Sequence, residues 1–423
     1  MGATTMTSRL SRRDFLKAST LTALAASLPS WMPRLAFAQP YNNPRGDVLV
    51  VVFLRGGADT LNMIVPHGEA AYYAARPRLA IPRPDAAGEA LRVLDLDGFF
   101  GLHPALEPLL PAFRDGQMVA IHATGSPHDT RSHFEAMDFM ERGVPGEYTL
   151  TSGWVGRHLG SLAPESPSPV RAVGWGAAVQ QALTGGPSVV AMQSIIDFHL
   201  AGDTALAATM LESLRSIYAI DGGSLAAAAE STAQAIDLVQ DVGYADYMPD
   251  HGAVYPENEF GQALRQTAAL IRAQVGLEAS CIDLGGWDTH ALQGGAEGQQ
   301  ARLMTELADG LAAFRDDLGP ELRRVTVVVM SEFGRRLEEN ASGGTDHGHG
   351  GAMLLMNGDL ATNTPVVARW PGLAEGQLDR GDLQVTIDYR SVLAEIVGQR
   401  LKNDALADVF PNFTAERIGL FSA

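Results

Sequence analysis

The chain reads VTVVVMSEFGRRLEENASGGTDHGHGG from Val325 to Gly351. Its first six residues form a continuous apolar and β-branched run, which is typical of a strand buried on both faces. Carboxylate and imidazole groups follow on glycine-rich backbone, where α/β proteins build sites beyond the C-terminal ends of strands. Because such ligands suit Zn²⁺ or Mn²⁺, the stretch predicts a metal site, with a solvated polar loop as the alternative. The candidate ligands are Glu332, Asp346, His347 and His349.

Similar apolar runs along the chain predict further strands. They lie at Asp47–Leu54, Met118–Ala123, Val170–Trp175, Ser188–Met192, Ala279–Leu284, Arg324–Met330 and Met353–Met356. Apolar spacings near 3.6 predict helices between them. These lie at Thr204–Ile220, Ser224–Val242, Glu259–Val275, Gly298–Asp317 and Asp388–Lys402. The alternation predicts an α/β fold whose central, mostly parallel sheet is covered on both faces. The alanine-rich region of about 200–275 predicts a helical insertion in one mature domain; a split into two domains near residue 200 is the alternative.

Composition and charge exclude several classes of protein. The 423 residues are 46% hydrophobic and 19% charged, which is typical of a globular protein. A net charge of −18 argues against nucleic-acid binding through a general electrostatic footprint. No apolar run after the N-terminal region is long enough for a transmembrane helix. The single cysteine, Cys281, lies in an apolar run and is expected in the core.

The N-terminal 38 residues have the pattern of an export signal. Ser11–Lys17 contains a twin-arginine motif, an apolar stretch follows over Ala18–Leu28, and Ala36-Phe37-Ala38 has the small-x-small form of a cleavage site. The pattern predicts export through the twin-arginine translocase to the periplasm or medium. The mature chain would comprise residues 39–423, and its net charge would be −22, because the leader carries five basic residues and one acidic residue.

Two further segments follow predicted strands near the start of the chain. After the first strand, a Gly-Gly turn brings Arg55 and Asp59, candidates for holding an anion and a metal; the alternative is that Asp59 caps the next helix. After the strand at 118–123 comes Ser132, a candidate nucleophile at a predicted helix N-terminus, with Arg131 and His133 to position an anion or transfer a proton. Ser132 and Glu135 also have the spacing of a capping box, which is the structural alternative.

A fourth segment follows the strand at 279–284. It contains Asp288 and His290, which can turn toward one cation from a single loop, with Asp283 as a second possibility. An Asp-x-His pair alone is weak evidence, but its place after a buried strand strengthens it.

Taken together, these segments resemble the alkaline phosphatase/sulfatase/phosphomutase superfamily, and within it the twin-arginine-exported bacterial family called domain of unknown function 1501. The motifs that carry the resemblance are Ser11–Lys17, Leu54–Asp59, Arg131–Phe134, Gly286–His290, Ser331–Arg335 and Gly344–Gly350. The resemblance implies an α/β/α sandwich, one or two zinc or manganese ions, and a small anionic ester as substrate. It also implies a serine or threonine nucleophile at Ser132 or Thr130.

The resemblance further places metal ligands at Asp288, or alternatively Asp283, with His290, and at His347 or His349. The chain departs from the superfamily at two places: Arg55-Gly56-Gly57 stands where a metal-binding Asp ends the first strand, and Glu332-Phe333 stands where an Asp-His pair follows the late strand. From the resemblance, the first hypothesis is an exported metal-dependent hydrolase of phosphate or sulfate esters. The second is a non-catalytic periplasmic binding or assembly protein that keeps a degenerate metal site on the same fold.

Overall fold

The computed structural model describes residues 46–162, 167–199, 204–219, 223–362 and 364–422, so the predicted export signal lies outside the described residues. The strands are β1 (Val48–Leu54), β2 (Ile64–Val65), β3 (Leu94–Asp95), β4 (Gly101–Leu102), β5 (Met118–Gly125), β6 (Ala172–Trp175), β7 (Val189–Met192), β8 (Ala279–Leu284), β9 (Val325–Ser331), β10 (Arg335–Glu339), β11 (Thr345–His347), β12 (Gly351–Met356), β13 (Val366–Ala368) and β14 (Ile387–Asp388). Each of the seven predicted strands is present, with ends within two residues of the predicted ones.

Helices occupy the segments between the strands. The α-helices are α1 (Thr60–Met63), α2 (Ala70–Ala75), α3 (Leu110–Arg114), α4 (His133–Arg142), α5 (Trp154–Ser161), α6 (Thr204–Ala219), α7 (Ser224–Asp241), α8 (Glu259–Arg272), α9 (Gln299–Leu318), α10 (Tyr389–Glu395) and α11 (Leu406–Val409). Short 3₁₀ turns lie at Pro104–Leu109, Gln181–Leu183, Tyr244–Asp246, Gly319–Arg324 and Glu375–Gln377, and a π turn at Ile396–Arg400 continues α10. The predicted helices are therefore confirmed, the last of them as α10 with its π turn.

The main sheet is mostly parallel, as predicted. Among the described residues it has nine strands in the order β13, β5, β12, β9, β1, β8, β6 and β7, with β14 also beside β5. Strands β9, β1, β8, β6 and β7 run parallel to one another, and β12 is antiparallel to both of its neighbours. Strands from before and after residue 200 are interleaved in this one sheet.

Both faces of the sheet are covered, which explains the continuous apolar runs in the sequence. Side chains of β1 alternate between two cores: Val50 and Val52 belong to one, and Val51 and Phe53 to the other. Helices α8 and α9 cover the first face, and α5 and α10 contribute to the second. Because neither face of β1 meets water, no position in it favours a polar residue.

The region predicted as a helical insertion contains two different kinds of helix. Helices α6 and α7 pack against each other as a pair. Helix α8 packs on α9 and β8 and buries an apolar face that includes Phe260 and Leu264 in the core. Among the described residues no helix combines the length and apolar character needed to cross a membrane.

Candidate functional site

The loops of the predicted site meet at one edge of the sheet. The register aligns Leu54, the last residue of β1, with Leu284 of β8 and Ser331 of β9, so the loops that follow these three strands start side by side. Strand β12 is antiparallel and starts at Gly351, opposite Thr124 near the end of β5. The segments before Gly351 and after β5 therefore reach the same edge.

Glycine is required where the loop after β1 contacts its neighbours. Gly56 and Gly57 have positive φ values of 121° and 65°, a region that disfavours other residues. A Cβ atom on Gly56 would lie 2.6 Å from the backbone nitrogen of Asp288, and one on Gly57 would lie 2.5 Å from the Phe333 ring. The Gly-Gly turn predicted from the sequence thus allows close backbone packing inside the site.

Three histidines converge on one oxygen of Asp288. The Nε2 atoms of His133, His290 and His347 lie 3.3, 3.1 and 3.3 Å from Asp288 Oδ1. The ligand atoms of His133, Asp288 and His347 all lie within 4.8 Å of one another, as in a metal-binding group. His290 Nε2 lies 2.9 Å from His347 Nε2, so it adjoins the same group. We call His133, Asp288, His290 and His347 the histidine cluster.

Hydrogen bonds on the far side of each ring set its tautomer. His133 Nδ1 lies 2.7 Å from Glu332 Oε1, and His290 Nδ1 lies 2.9 Å from Asp346 Oδ1. His347 Nδ1 lies 2.8 Å from the Arg131 carbonyl oxygen. Each of these partners can only accept when the carboxylates are ionised, so the Nδ1 atoms donate and the Nε2 lone pairs face the centre of the cluster.

This arrangement fits a divalent metal ion. Two unprotonated nitrogens 2.9 Å apart repel each other unless a cation lies beside them, and His290 and His347 face each other in this way. The Nε2 atom of His133 is buried and has no hydrogen-bond partner. It lies 3.3 Å from Asp288 Oδ1, but the two atoms are not aligned as a hydrogen bond. Imidazole nitrogens with one carboxylate are the donor set of zinc and related metals.

The electrostatics keep the acid of the cluster ionised. Burial acts to raise the pKa of Asp288, but the hydrogen bond from Arg335 and the charge of its guanidinium act against burial, and the pKa is lowered to about 2. The hydrogen bond to Glu332 raises the pKa of His133, whereas burial lowers the pKa of His347. Asp288 is therefore a charged ligand at any physiological pH.

Arg335 holds the loops of the site together. Its guanidinium is buried and donates to the carbonyl oxygens of Gly57 and Thr345 at 2.5 and 2.7 Å and to Asp288 Oδ1 at 2.8 Å. It also contacts the carbonyl oxygens of Gly56 and Trp287 at 2.5 and 3.0 Å. All three guanidinium nitrogens donate within the protein, and Arg335 does not line the cleft that adjoins the cluster, so its role is to position Asp288.

An open cleft rich in arginine adjoins the histidine cluster. It is lined by Arg131, Arg336, Arg380, His290, Asp346 and His347. Three acids outside this lining hold the guanidinium groups in place: Asp382 contacts Arg131 and Arg336, and Asp129 and Asp379 contact Arg380. Three guanidinium groups and one carboxylate line this cleft, and each guanidinium also has an acid partner outside the lining, so the cleft offers an anion hydrogen-bond donors rather than a large net positive charge.

Asp59 and Arg55 do not reach the cluster, contrary to expectation. The Asp59 carboxylate is fully buried and forms a two-point pair with Arg76 at 2.7 and 3.0 Å, with Gln293 at 2.7 Å. Arg55 is paired with Glu141 and Asp283, each at 2.9 Å. Neither residue belongs to the histidine cluster or lines the cleft, so Asp59 is not placed to bind a metal there or Arg55 an anion.

Three predicted ligands occupy other positions around the cluster. Glu332 is buried and accepts from His133 and the Gly56 N–H, and Asp346 accepts from His290, so both orient histidines. His349 has Nδ1 2.7 Å from Asp379 and Nε2 2.9 Å from the Ser126 carbonyl oxygen, so neither nitrogen is available to the cluster.

The predicted nucleophiles lie next to the cluster, on the segment that enters α4. Ser132 is the exposed N-cap residue of α4, between Arg131, whose carbonyl oxygen contacts His347, and His133. The predicted capping box is absent: Ser132 makes no side-chain cap bond, and the Glu135 carboxylate accepts from Thr130 Oγ1 and Tyr148 instead of from the Ser132 N–H. His133, expected to position an anion or transfer a proton, belongs to the metal-binding group.

The sequence predictions did not include the segment from Asp379 to Asp382. It reads Asp-Arg-Gly-Asp and supplies Arg380 to the cleft and two acids that hold arginines. Three charged residues around a glycine are the sequence pattern that could have identified this segment as part of a site. The segment was missed because it follows no predicted strand. Its place in the site depends on a β-bridge between Arg336 and Asp382.

Comparison with known proteins gives a family and remote structural similarities. The solved structure of phosphoglycerol transferase GacH of Streptococcus pyogenes has 10% identity over 97% of this chain and 94% of its own, with a TM-score of 0.35. Phosphonoacetate hydrolase of Sinorhizobium meliloti 1021 has 14% identity over 70% of this chain and 58% of its own, with a TM-score of 0.27. No curated protein matches the chain in sequence. The family described as "Protein of unknown function (DUF1501)" matches residues 47–389, which is most of the length, and the chain therefore belongs to the DUF1501 family.

Proposed function

We propose that this protein is an exported, metal-dependent hydrolase of phosphate or sulfate esters, related to the alkaline phosphatase/sulfatase superfamily. The observation that carries the proposal is the histidine cluster, in which three Nε2 lone pairs and the Asp288 carboxylate converge beside an arginine-lined cleft. A cation site next to an anion site is what transfer of a phosphoryl or sulfuryl group requires.

Each part of the site has a place in this reaction. His133, Asp288 and His347, with His290 beside them, would hold one zinc or manganese ion. Such an ion supplies Lewis-acid polarisation of the ester. Arg131, Arg336 and Arg380 would hold the charged oxygens of the substrate.

Ser132 is the proposed nucleophile, with Thr130 as the alternative. Its exposed hydroxyl stands at the N-terminus of α4, a ten-residue helix whose free N–H groups favour negative charge. A bond forms from Oγ to phosphorus or sulfur while the hydroxyl proton passes to solvent, the bond to the ester oxygen breaks, and the leaving alcohol takes up a proton from solvent. Water then releases phosphate or sulfate and restores the serine hydroxyl.

Metal content and turnover test the proposal together. The purified protein should contain about one equivalent of zinc or manganese by elemental analysis, and a His290→Ala/His347→Ala variant should lose it. Ser132→Ala should lower turnover of aryl phosphates or sulfates by at least about a thousandfold while the metal content stays unchanged. Thr130→Val is the matched variant, and a loss confined to it would move the nucleophile to Thr130. Full turnover in both variants would contradict the proposal.

A second function, metal-dependent binding without catalysis, is favoured by the surroundings of Ser132. No hydrogen bond joins the Ser132 hydroxyl to a general base in the described part of the chain, and Phe333 follows Glu332 where the superfamily has a histidine. A protein that holds metal and binds phosphate or sulfate, but turns over no aryl ester, would be a binder of this kind.

We also propose export through the twin-arginine pathway, followed by removal of residues 1–38, so that the mature domain of residues 39–423 works in the periplasm or outside the cell. The support is the Ser11–Lys17 motif with its apolar stretch and cleavage signal. Replacing Arg12 and Arg13 by lysine should leave the uncleaved precursor in the cytoplasm, as followed by cell fractionation. Unchanged export of that variant would rule out this route.

A further inference from the structure

Two large apolar side chains stand exposed next to histidines of the cluster. Phe134 directly follows His133 and is 89% exposed. Leu292 comes two residues after His290 and is 82% exposed. Neither side chain lines the arginine cleft itself, but each is within two residues of a histidine of the cluster, close enough along the chain to contact a ligand that extends beyond the cleft.

The backbone conformation at position 292 does not favour a leucine, so folding alone does not explain why a leucine is found there. Its φ of 51° lies in the left-handed region, which favours glycine or asparagine over leucine. The conformation is held by hydrogen bonds from the N–H groups of Leu292 and Gln293 to the carbonyl oxygens of Ser342 and Gly343. A leucine therefore occupies a position where neither burial nor backbone preference favours it, on the loop that also carries His290.

Phe134 is likewise not needed for packing of α4. The buried face of this helix includes Ala136, Phe139 and Met140, and Phe134 lies off it at the second helical position. His133, one position earlier, belongs to the histidine cluster. The first turn of α4 thus presents a metal-binding side chain and an apolar side chain in succession.

We propose that the ester taken by this site carries an apolar alkyl or aryl group beside its charged end. The inference rests on the proposed function and names the substrate class more narrowly. The cleft of Arg131, Arg336 and Arg380 takes the anionic end, and it includes His290 and His347 of the cluster. We call Phe134 and Leu292 the apolar rim. They lie on the segments that carry His133 and His290, and they contact the apolar group of the ester.

Binding of two phosphonates, which lack the ester bond, tests the apolar rim without turnover. Methylphosphonate and octylphosphonate, both as monomers, are titrated calorimetrically into the zinc-loaded full chain. Octylphosphonate should bind about tenfold more tightly, since partial burial of two apolar side chains against the alkyl chain contributes roughly that factor. In a Phe134→Ser/Leu292→Ser variant that preference should disappear, while methylphosphonate affinity stays within about twofold of the starting value.

A matched control variant exists in the same chain. Met248 and Val254 are 79% and 83% exposed, on a segment tied to α9 by hydrogen bonds from Tyr247, Asp250 and Tyr255 to Asp317. Met248→Ser/Val254→Ser should keep the octyl preference. Three results would overturn the inference. The unaltered chain could bind both phosphonates equally, it could bind neither, or the octyl preference could remain in the Phe134→Ser/Leu292→Ser variant.

Vesicles then distinguish a lipid from a soluble ester. The unaltered chain and the Phe134→Ser/Leu292→Ser variant are each sedimented with phosphatidylcholine vesicles that contain phosphatidic acid. If only the unaltered chain sediments with the vesicles, the apolar group belongs to a bilayer lipid. Octylphosphonate binding without vesicle binding would assign it to a soluble ester, and both results support an apolar substituent. Failure of this inference is separable from failure of the hydrolase proposal: the first shows as loss of chain-length preference in binding, the second as absence of ester turnover.

Discussion

Asp288 Oδ1 is the atom around which the site is organised. Three histidine nitrogens lie between 3.1 and 3.3 Å from it, and Arg335 donates to it at 2.8 Å. The three histidines can share this oxygen only if its position is fixed. Arg335 fixes it, because the same guanidinium also donates to the carbonyl oxygens of Gly57 and Thr345 on two neighbouring loops. The order of the site therefore depends on a buried residue that does not line the cleft.

Replacing Arg335 by lysine should destabilise the protein by about 3 kcal/mol or more, because an ammonium group cannot satisfy all the buried oxygens that the guanidinium contacts. Arg336→Lys, next in sequence but with a side chain 43% exposed, should cost less than about 1 kcal/mol. Urea unfolding of both metal-free variants measures the difference. Equal losses would show that the buried network around Arg335 does not stabilise the fold.

Residue identity alone could not separate ligands from the groups that orient them. Asp288, Asp346 and Asp59 all follow predicted strands on glycine-rich loops, and all three were predicted to bind metal. Asp288 lies in the cluster, Asp346 accepts from His290, and Asp59 is captured by Arg76 from 17 residues away. The three differ in which distant segment packs beside them, and spacing along the chain does not contain that information.

The C-terminal segment is an element whose position depends on one side chain. Glu395, at the end of α10, is buried and accepts hydrogen bonds from the N–H groups of Ile418, Gly419, Leu420 and Phe421. Leu420 and Phe421 are buried in the core below it. A carboxylate with four backbone donors thus stabilises a segment that has no regular secondary structure of its own.

Glu395→Gln should loosen this segment, because one oxygen is replaced by an amide that cannot accept from two of the four N–H groups. We expect a loss of about 2–4 kcal/mol in unfolding free energy and faster hydrogen exchange at 418–421. The exposed Glu375→Gln is the control and should change neither quantity. Native protection of the C-terminal amides in Glu395→Gln would contradict this role.

Elements were more predictable than contacts, for a physical reason. The continuous apolar runs of β1 and β9 follow from burial on both faces, and they set the ends of these strands to within one residue. The capping box at Ser132 was wrong because Thr130 and Tyr148 compete for Glu135, and Tyr148 lies on a loop 13 residues away. Local patterns predict an element well when burial decides it, and less well when another segment supplies the partner.

On the scale of the whole molecule, buried histidines link stability to pH. Burial lowers the pKa of both His122 and His158 to about 4. His158 accepts from Asn403, and His122 accepts from the Ala123 N–H and contacts the Ile64 carbonyl oxygen. Both rings are therefore neutral in the folded protein, and protonation favours the unfolded chain.

Stability should accordingly fall as the pH drops from about 6.5 toward 4, since the unfolded chain binds protons at these histidines first; above about 6.5 the effect is absent. Each histidine can contribute about 3 kcal/mol to this loss. Guanidinium unfolding at pH 7 and pH 5 should show a smaller pH-dependent loss for His158→Gln than for the unaltered chain. The exposed His251→Gln should leave the loss unchanged, and equal pH dependence in all three proteins would exclude His158 as a source.

The sequence by itself determined the α/β class, the strands and helices, and the loops at which polar side chains gather, because burial and chain direction leave periodic and positional patterns. Tertiary structure alone decided that Asp288 and three histidines share one centre, that Asp59 and Arg55 are paired elsewhere, and that Arg380 joins the cleft from a turn after no predicted strand. The reason is that hydrogen bonds and ion pairs act over about 3 Å, and in this site they join residues as far as 279 positions apart in the sequence. Only the packing of the sheet edge determines which of those segments meet.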